Sequence, residues 1–309
     1  MNKKSSKKIV VIGSSNTDMV VRCQRMPRPG ETVLGGEFMM NPGGKGANQA
    51  VAVARLGGDV AFIGKVGDDI FGQQTRKQLS GEGIDVSHLG VEENCASGVA
   101  LINVDAEGEN CISVASGANA MLLTSDIDAA EELIADADIL LMQLEVPVPT
   151  VTHAARIAKK NGVKVVLNPA PAPTTPLPAE LLENVDILIP NRTELELISG
   201  MPCTASVTAA VERMATLGVP TLVITLGSAG AMICKGEEST LIPSFKVMAV
   251  DTTAAGDTFC GGLCVALSEG KNIDEAVLFG NLAASLTVTR AGAQQAIPTR
   301  AEVDSIQHQ

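Results

Sequence analysis

Apolar residues along this chain fall into two alternating kinds of run. Short continuous ones, bounded by glycine or polar residues, suit strands buried on both faces: residues 9–12, 60–64, 139–144, 163–167, 185–189, 221–226 and 231–234. Between several of them the apolar positions recur at helical spacing, as over residues 50–56, 150–160 and 207–217. Strand–helix alternation predicts a parallel sheet with helices on both faces. Two stretches break the rhythm. Residues 19–23 and 31–39 are β-rich and joined by Met26-Pro27-Arg28-Pro29-Gly30; residues 98–105 and 110–116 are joined by Ala106-Glu107-Gly108-Glu109. Both read as hairpin-like excursions without helices. Together they suit a small sheet over the site, a lid formed by insertions at about 17–40 and 97–116, or an edge sheet that only packs. Asn168-Pro169-Ala170-Pro171-Ala172-Pro173 reads as a stiff surface connection, because alternation resumes after it. Residues 1–309 are expected to form one domain.

Composition narrows the function. Of 309 residues, 45% are hydrophobic and 19% charged, which suits a globular chain with a large core. A net charge of -12 argues against nucleic-acid or membrane-surface binding, which need basic patches. There is no Trp or Tyr and only six Phe, so little is available to stack on bases. Seven cysteines scattered through apolar segments read as buried thiols of a reducing cytosol. Cys260 and Cys264 share a helix face, but His88, His153 and His308 are far from them in sequence, which argues against zinc. After the basic start from Met1 to Lys8, the apolar run at residues 9–12 is too short for a signal peptide or a membrane span. A cytoplasmic protein is expected.

Polar groups collect where the strands end, which is where open α/β sheets place their ligands. Ser14-Ser15-Asn16-Thr17-Asp18 follows the first strand, Glu145 another, Asn191-Arg192-Thr193-Glu194 a third, and Thr225-Leu226-Gly227-Ser228-Ala229-Gly230 a fourth. Gly43-Gly44-Lys45-Gly46-Ala47-Asn48-Gln49 matches neither a Walker loop nor a dinucleotide fingerprint. Its glycines would let a ligand approach the backbone, with Lys45 and Asn48 offering polar contacts. The most informative stretch is Asp251-Thr252-Thr253-Ala254-Ala255-Gly256-Asp257-Thr258-Phe259. A β-prone run, residues 245–250, precedes it, and Phe259, Leu263, Ala266 and Leu267 follow at helical spacing. Small residues opening a helix leave backbone N–H groups accessible to an anion. Asp257 stands at that mouth, either as an acid with a chemical task or as an N-cap after a glycine turn.

The segments Gly43 to Ala50 and Asp251 to Phe259, in this order and at this separation, resemble motifs of the ribokinase/PfkB carbohydrate kinases. The similarity runs from Ile9 to about Pro298, with Ala255 standing where many members have Gly. It implies an ATP:sugar phosphotransferase with a three-layer α/β/α fold, a mainly parallel central sheet and a small β-sheet lid. That lid would pair with a second subunit to form a homodimer. By the same resemblance Asp257 is the catalytic base, and the N–H groups of Ala254, Ala255 and Gly256 form the anion hole. Asn16, Asp18, Gly44, Lys45, Asn48, Glu145 and Asp257 would hold the sugar. Asn191, Thr225, Gly227, Ser228, Gly230, Gly256 and Asn281 would surround ATP, and Asn191 with Glu194 would organise Mg²⁺. Asp251, Thr253, Thr287, Arg290, Gly292 and Ala296 match the surroundings of an activating K⁺. Ala296 replaces a common Ser, which removes one side-chain oxygen.

The residues themselves bear on the acceptor. Asn16, Asp18, Asn48 and Glu145 are rich in acceptors and suit sugar hydroxyls. A sugar phosphate calls for a cluster of Arg or Lys, and only Lys45 is at hand. A nucleoside favours aromatic stacking, which this chain scarcely offers. D-ribose is therefore the expected acceptor, phosphorylated at O5 to ribose 5-phosphate with release of ADP. Deoxyribose, fructose or a related sugar is the alternative. A sugar-binding regulator without catalysis is the reading from another class, and the presence of Gly256 and Asp257 argues against it.

Overall fold

A computed structural model describes residues 8–204 and 206–307. Residues 1–7, most of the basic start, and His308 lie outside the described residues. In chain order the strands are β1 (Lys8–Ile12), β2 (Asn16–Arg22), β3 (Glu37–Gly43), β4 (Asp59–Gly67), β5 (Leu89–Glu92), β6 (Gly98–Val104) and β7 (Asn110–Ala115). They continue with β8 (Ile139–Met142), β9 (Lys164–Leu167), β10 (Ile187–Leu188), β11 (Thr221–Thr225), β12 (Ala231–Lys235) and β13 (Glu238–Ile242). The α-helices are α1 (Lys45–Arg55), α2 (Ile70–Gly81), α3 (Thr124–Asp128), α4 (Glu131–Ala135), α5 (Val148–Lys160) and α6 (Ala179–Glu183). After these come α7 (Arg192–Ser199), α8 (Thr208–Thr216), α9 (Ala255–Ser268), α10 (Ile273–Thr287) and α11 (Arg300–Gln307).

The 9-stranded sheet runs β13-β12-β11-β10-β9-β8-β1-β4-β5. It is parallel except at one edge, where β11, β12 and β13 pair antiparallel. Period-2 alternation sorts each central strand onto two faces. Ile9, Val11, Phe62 and Leu141 pack with Val51 of α1, Leu79 of α2, Leu263 of α9, Leu282 of α10 and Val303 of α11. Val10, Ile12, Ala61 and Leu140 pack on the other face with Ile127, Ile134, Val151, Leu181, Leu195 and Met214 of α3 to α8. The molecule thus has three layers, as expected, and burial of both strand faces is why the strands read as unbroken apolar runs.

The two hairpin-like excursions form one 4-stranded sheet, β3-β2-β6-β7, in which β2 and β6 pair parallel. Its strands begin later than predicted on one side: residues 31–36 carry no ladder, and β3 starts at Glu37. Residues 245–250, predicted as a strand, form none. Phe245, Val247, Met248 and Val250 are exposed beyond β13, which already occupies the sheet edge, so their β propensity finds no ladder to join. Strands β5 and β13 were not predicted. Glu238-Ser239-Thr240 is polar and exposed, and β13 exists because it hairpins onto β12.

Candidate active site

The start of α9 sets the geometry. Ala254 precedes the helix with φ 58, a left-handed conformation that turns the chain abruptly into it. Ala255, Gly256 and Asp257 are its first three helical residues, whose N–H groups have no carbonyl one turn earlier. The Ala255 N–H makes a long bond of 3.3 Å to the Thr252 carbonyl. At Gly256 an added Cβ would meet nothing within 4 Å, so the glycine keeps space clear beside the backbone and serves no packing contact. Asp257 is not an N-cap, because Ala254 occupies that place. Its carboxylate turns away from its own helix, accepting from Asn48 Nδ2 at 2.9 Å and Gln49 Nε2 at 3.0 Å. It is buried, with 7% of its surface exposed.

Helix α1 supplies those partners and begins at Lys45, earlier than the periodicity showed. Glycines let it start against the turn after β1. An added Cβ at Gly46 would lie 2.6 Å from the Gly13 carbonyl carbon, and at Gly44 2.7 Å from the Asn16 nitrogen. Gly44 also takes φ 88. A Cβ at Gly43 would strike the Asp18 carboxylate at 2.2 Å, so Gly43 makes the room that Asp18 occupies. Glu145, after β8, accepts from Ser14 Oγ at 2.5 Å and from the Lys45 N–H at 3.0 Å. Asn16 Oδ1 accepts from Asn119 Nδ2 at 2.8 Å. Asn16, Asn119 and Glu145 line a cavity of about 340 Å³ whose outer wall includes Val114 of the small sheet.

Asp18, Glu145 and Asp257 gather three carboxylates around Lys45. Burial, followed by the charges of Glu145 and Asp257, pushes the Asp18 carboxyl up to about 7, with Lys45 opposing. Burial also raises the Asp257 carboxyl against the pull of Lys45 and its two amide donors. Burial lowers the affinity of Lys45 for its proton, but Asp257, Glu145 and Glu194 outweigh it and the ammonium is held charged.

A second cleft, of about 200 Å³, runs from Lys45 and Asp257 past Ala254 and Gly256 to Asn191, Glu194 and Thr225. The ends of β9, β10 and β11 and the start of α9 meet here. Asn191 caps α7 and forms a capping box with Glu194: Glu194 Oε2 accepts from the Asn191 N–H, and Asn191 Oδ1 from the Glu194 N–H, both at 2.8 Å. Burial raises the Glu194 carboxyl, against the Asn191 N–H and Lys45. Gly227, Ser228, Gly230 and Asn281 are not among the residues lining this cleft. Gly227 (φ 58) and Gly230 (φ 102) build the turn between β11 and β12. Asn281 is buried, donating to the Ile242 carbonyl at 3.0 Å and tying α10 to the end of β13.

The remaining predicted residues form a loop beside the start of α9. Asp251 Oδ1 accepts from the Thr253 N–H and hydroxyl at 2.9 and 2.6 Å, and Oδ2 from the Gly292 N–H at 2.9 Å. Burial raises the Asp251 carboxyl, but these donors outweigh it and the group is held below the usual carboxylate range. Thr287 Oγ1 donates to Thr258 Oγ1 at 3.0 Å, pinning α10 to α9. The Arg290 side chain is turned to Glu302 at 2.5 Å, and Ala296 is fully buried. Among the described residues no group of three or more His, Cys, Asp or Glu could hold a metal ion.

Several functional neighbours went unpredicted. Gln49 lay inside the glycine motif without an assigned role. Asn119, Gln143, Asn168 and Gln294 reach the site from scattered positions, and nothing in their local sequence signals it. Asn168, in the Pro-rich connection expected at the surface, has an amide that accepts from Gln49 at 3.1 Å and donates to the Ile189 carbonyl.

Residues 6–300 match the pfkB family of carbohydrate kinases. The chain is 47% identical over 299 residues to the ribokinase of Haemophilus influenzae, covering 96% of this chain and 97% of the other. The crystal structure of ribokinase from Thermotoga maritima superposes with a TM-score of 0.89 at 39% identity, covering 98% of this chain and 100% of that one. The Arabidopsis thaliana ribokinase complexed with ribose and ATP gives a TM-score of 0.91 at 35% identity over 97% of this chain and 98% of its own.

Proposed function

The chain belongs to the pfkB family of carbohydrate kinases and is an ATP-dependent sugar kinase, and we propose that its acceptor is D-ribose, phosphorylated at O5 to give D-ribose 5-phosphate and ADP. The observation that carries this reading is the buried Asp257 in a cleft that runs along the α9 N-terminus. Lys45, which also lines that cleft, interacts with Asp18 and Glu145, and Glu145 with Asn16 lines the acceptor-rich cavity. The similarity to ribokinases, including one complexed with ribose and ATP, supports the choice of sugar.

In this reading Asp18, Asn16, Asn48, Gly44, Lys45 and Glu145 bind and orient the sugar hydroxyls. Asp257 accepts the proton of the attacking hydroxyl as the bond to phosphorus forms. The N–H groups of Ala255 and Gly256, with Ala254 turning the chain, face the charge that develops on the transferred group, aided by the helix dipole. Asn191, Thr225 and the Gly227-to-Gly230 turn take the nucleotide side, with Asn281 holding that edge together. Asn191 and Glu194 keep lone pairs beyond those used in the capping box, and so fit a hydrated Mg²⁺ carried by the phosphates. Such an ion supplies charge neutralisation. Asp251, Thr253, Thr287, Gly292 and the backbone of Arg290 surround the place of an activating K⁺, with Ala296 contributing no side-chain oxygen. The β3-β2-β6-β7 sheet acts as a lid and as the pairing surface of a homodimer, within one domain spanning 1–309. Cytoplasmic location accords with seven cysteines that are all free, and no helix among the described residues is long and apolar enough to cross a membrane.

The test is ADP release from ATP–Mg²⁺ with ribose, deoxyribose, fructose, fructose 6-phosphate and adenosine, with and without K⁺. Ribose is expected to give the highest kcat/KM, and omission of K⁺ to lower the rate. Asp257→Asn should retain ribose binding and lose at least about 10³-fold in kcat, the upper part of what a general base contributes. Near-normal turnover by that variant removes Asp257 from the mechanism. Tight ribose binding without turnover by the unaltered enzyme leaves the regulatory reading.

A further inference from the structure

Asp257 is gripped by two lines of side-chain amides, one to each oxygen of its carboxylate. On one, Gln143 Nε2 donates to Gln49 Oε1 at 2.5 Å, and Gln49 Nε2 donates both to Asp257 Oδ1 and to Asn168 Oδ1. On the other, Gln78 Nε2 donates to Gln294 Oε1 at 2.6 Å, Gln294 Nε2 to Asn48 Oδ1 at 3.0 Å, and Asn48 Nδ2 to Asp257 Oδ2. Gln49, Gln143 and Gln294 are buried, each with no more than 2% of its surface exposed.

The direction of both lines is fixed by their ends. An ionised carboxylate can only accept, so Gln49 and Asn48 must each turn an NH₂ group to Asp257. The Ile189 carbonyl can only accept, so Asn168 turns its NH₂ there and its oxygen to Gln49. Both N–H bonds of Gln49 are then committed, and its oxygen must face Gln143. Gln143 meets this demand at a cost. Its Oε1 is the one buried side-chain nitrogen or oxygen without a hydrogen-bond partner among the described residues. That oxygen lies against Gly13, where an added Cβ would come within 2.1 Å of it. Leaving a buried acceptor unpaired is unfavourable, and packing alone would not select it.

We propose that Gln49, oriented by Gln143, and Gln294, acting through Asn48, are the positioning residues of the base. They fix the plane of the Asp257 carboxylate against the α9 N-terminus and commit one lone pair on each oxygen. One lone pair remains on each oxygen, and its direction toward the sugar hydroxyl is thereby set. The inference rests on the phosphotransfer reading of Asp257. The charged or titratable groups facing Asp257 are Lys45 of α1, Glu145 after β8, Asp18 of β2, Glu194 of α7 and Cys260 of its own helix. None of these is altered by the variants below.

Gln49→Met removes a donor to Asp257 and Gln294→Met the amide that holds Asn48, each keeping length and burial; Gln143→Met removes the amide that orients Gln49. The carboxyl of Asp257 is followed by ¹³C NMR titration of Asp-labelled unliganded enzyme, beside kcat, KM and equilibrium ribose binding against pH. In Gln49→Met the Asp257 carboxyl should titrate at higher pH than in the unaltered enzyme, because a donor to its charged form is lost. In Gln294→Met it should move the same way, because Asn48 remains the donor but is no longer held in line. The acidic limb of kcat should move the same way. We expect kcat to fall about 10- to 100-fold, the scale of a small misplacement of a reacting group, with ribose affinity changed less than about threefold. Gln143→Met should act in the same direction, more weakly. Unchanged titration of Asp257 in both Gln49→Met and Gln294→Met, or ribose affinity falling in step with kcat, overturns the proposal. Gln294 acts through Asn48 on the other carboxylate oxygen, so Gln294→Met decides the matter if Gln49→Met is not recovered folded. Should the unaltered enzyme phosphorylate no sugar, the kinase reading of ribose fails, and the NMR titration still decides whether these amides hold Asp257.

Discussion

At the scale of single residues, Asp18 and Asp257 are carboxylates with different surroundings. Asp257 has two amide donors to offset its burial, whereas Asp18 sits where Gly43 makes room, with like charges nearby and Lys45 as its counterweight. Its carboxyl lies at about 7, against 3.8 for an unperturbed group. The folded chain therefore binds a proton there more tightly than the unfolded chain does. The cost to stability is absent below about pH 4, grows as pH rises and is fully present above about pH 7. Asp18→Asn should accordingly raise the melting temperature by a few degrees at pH 8 and hardly at pH 4, while weakening ribose binding. In the unaltered enzyme kcat/KM for ribose should decline as pH falls through about 7, since protonated Asp18 loses acceptor capacity. Thermal melts at both pH values and a pH–rate profile check this; a melting difference that is the same at pH 4 and pH 8 rules it out.

Among elements, the crossing of α1 and α9 decides the distances in the site, since α1 carries Lys45, Asn48 and Gln49 and α9 carries Asp257. Small residues let the helices approach. At Gly261 an added Cβ would lie 2.6 Å from the Ala52 Cβ and 3.1 Å from the Gln49 carbonyl oxygen. Gly262 faces the Gly280 Cα on α10 at 3.3 Å in the same sense. Gly256 differs, with open space where its side chain would be. The two glycines should therefore part company on substitution. Gly261→Val is expected to cost about 1–3 kcal/mol of stability by overpacking, and to lower turnover by displacing α1. Gly256→Leu is expected to leave urea unfolding nearly unchanged and to lower kcat/KM at least tenfold by filling the cleft beside the α9 N-terminus. Equal stability losses in the two variants contradict this division.

Over the whole molecule, the small sheet has one face toward the site and one away. Ladder register puts Val21 beside Phe38, and Met19 beside Met40 and Leu101, on the face opposite Asp18. Phe38, Met40 and Leu101 are 60%, 51% and 52% exposed, a contiguous apolar surface of the kind that marks an interface. The proposed homodimer would cover it. Sedimentation at micromolar concentration should give a dimer, and Phe38→Glu with Leu101→Glu a monomer with reduced ribose affinity. A dimer that persists in the double variant places the interface elsewhere.

Much of this was legible along the chain. Unbroken apolar runs and helical spacing gave the alternation, because burial of both strand faces and of one helix stripe leaves a local periodic trace. The two hairpins were visible through their turns, and Lys45, Asn48, Asp257 and the residues after each strand stood out by type and position. The N-cap alternative for Asp257 and the strand at residues 245–250 were equally compatible with local sequence. Only the tertiary structure removed them, one by placing Ala254 at the cap and the other by leaving no free ladder. Likewise Gln49, Gln143, Asn168 and Gln294 carry no signal of their own, since a buried amide looks like a surface one until its partners are known. Gln294 and Asn48 are 246 positions apart, and the packing of α1 against the turn that follows α10 brings them together. Local sequence determined most of the elements, because propensity and periodicity act over a few residues; whether a strand finds a ladder, as at β13 and residues 245–250, and which side chains share a pocket were decided by tertiary packing, which alone reaches across such separations.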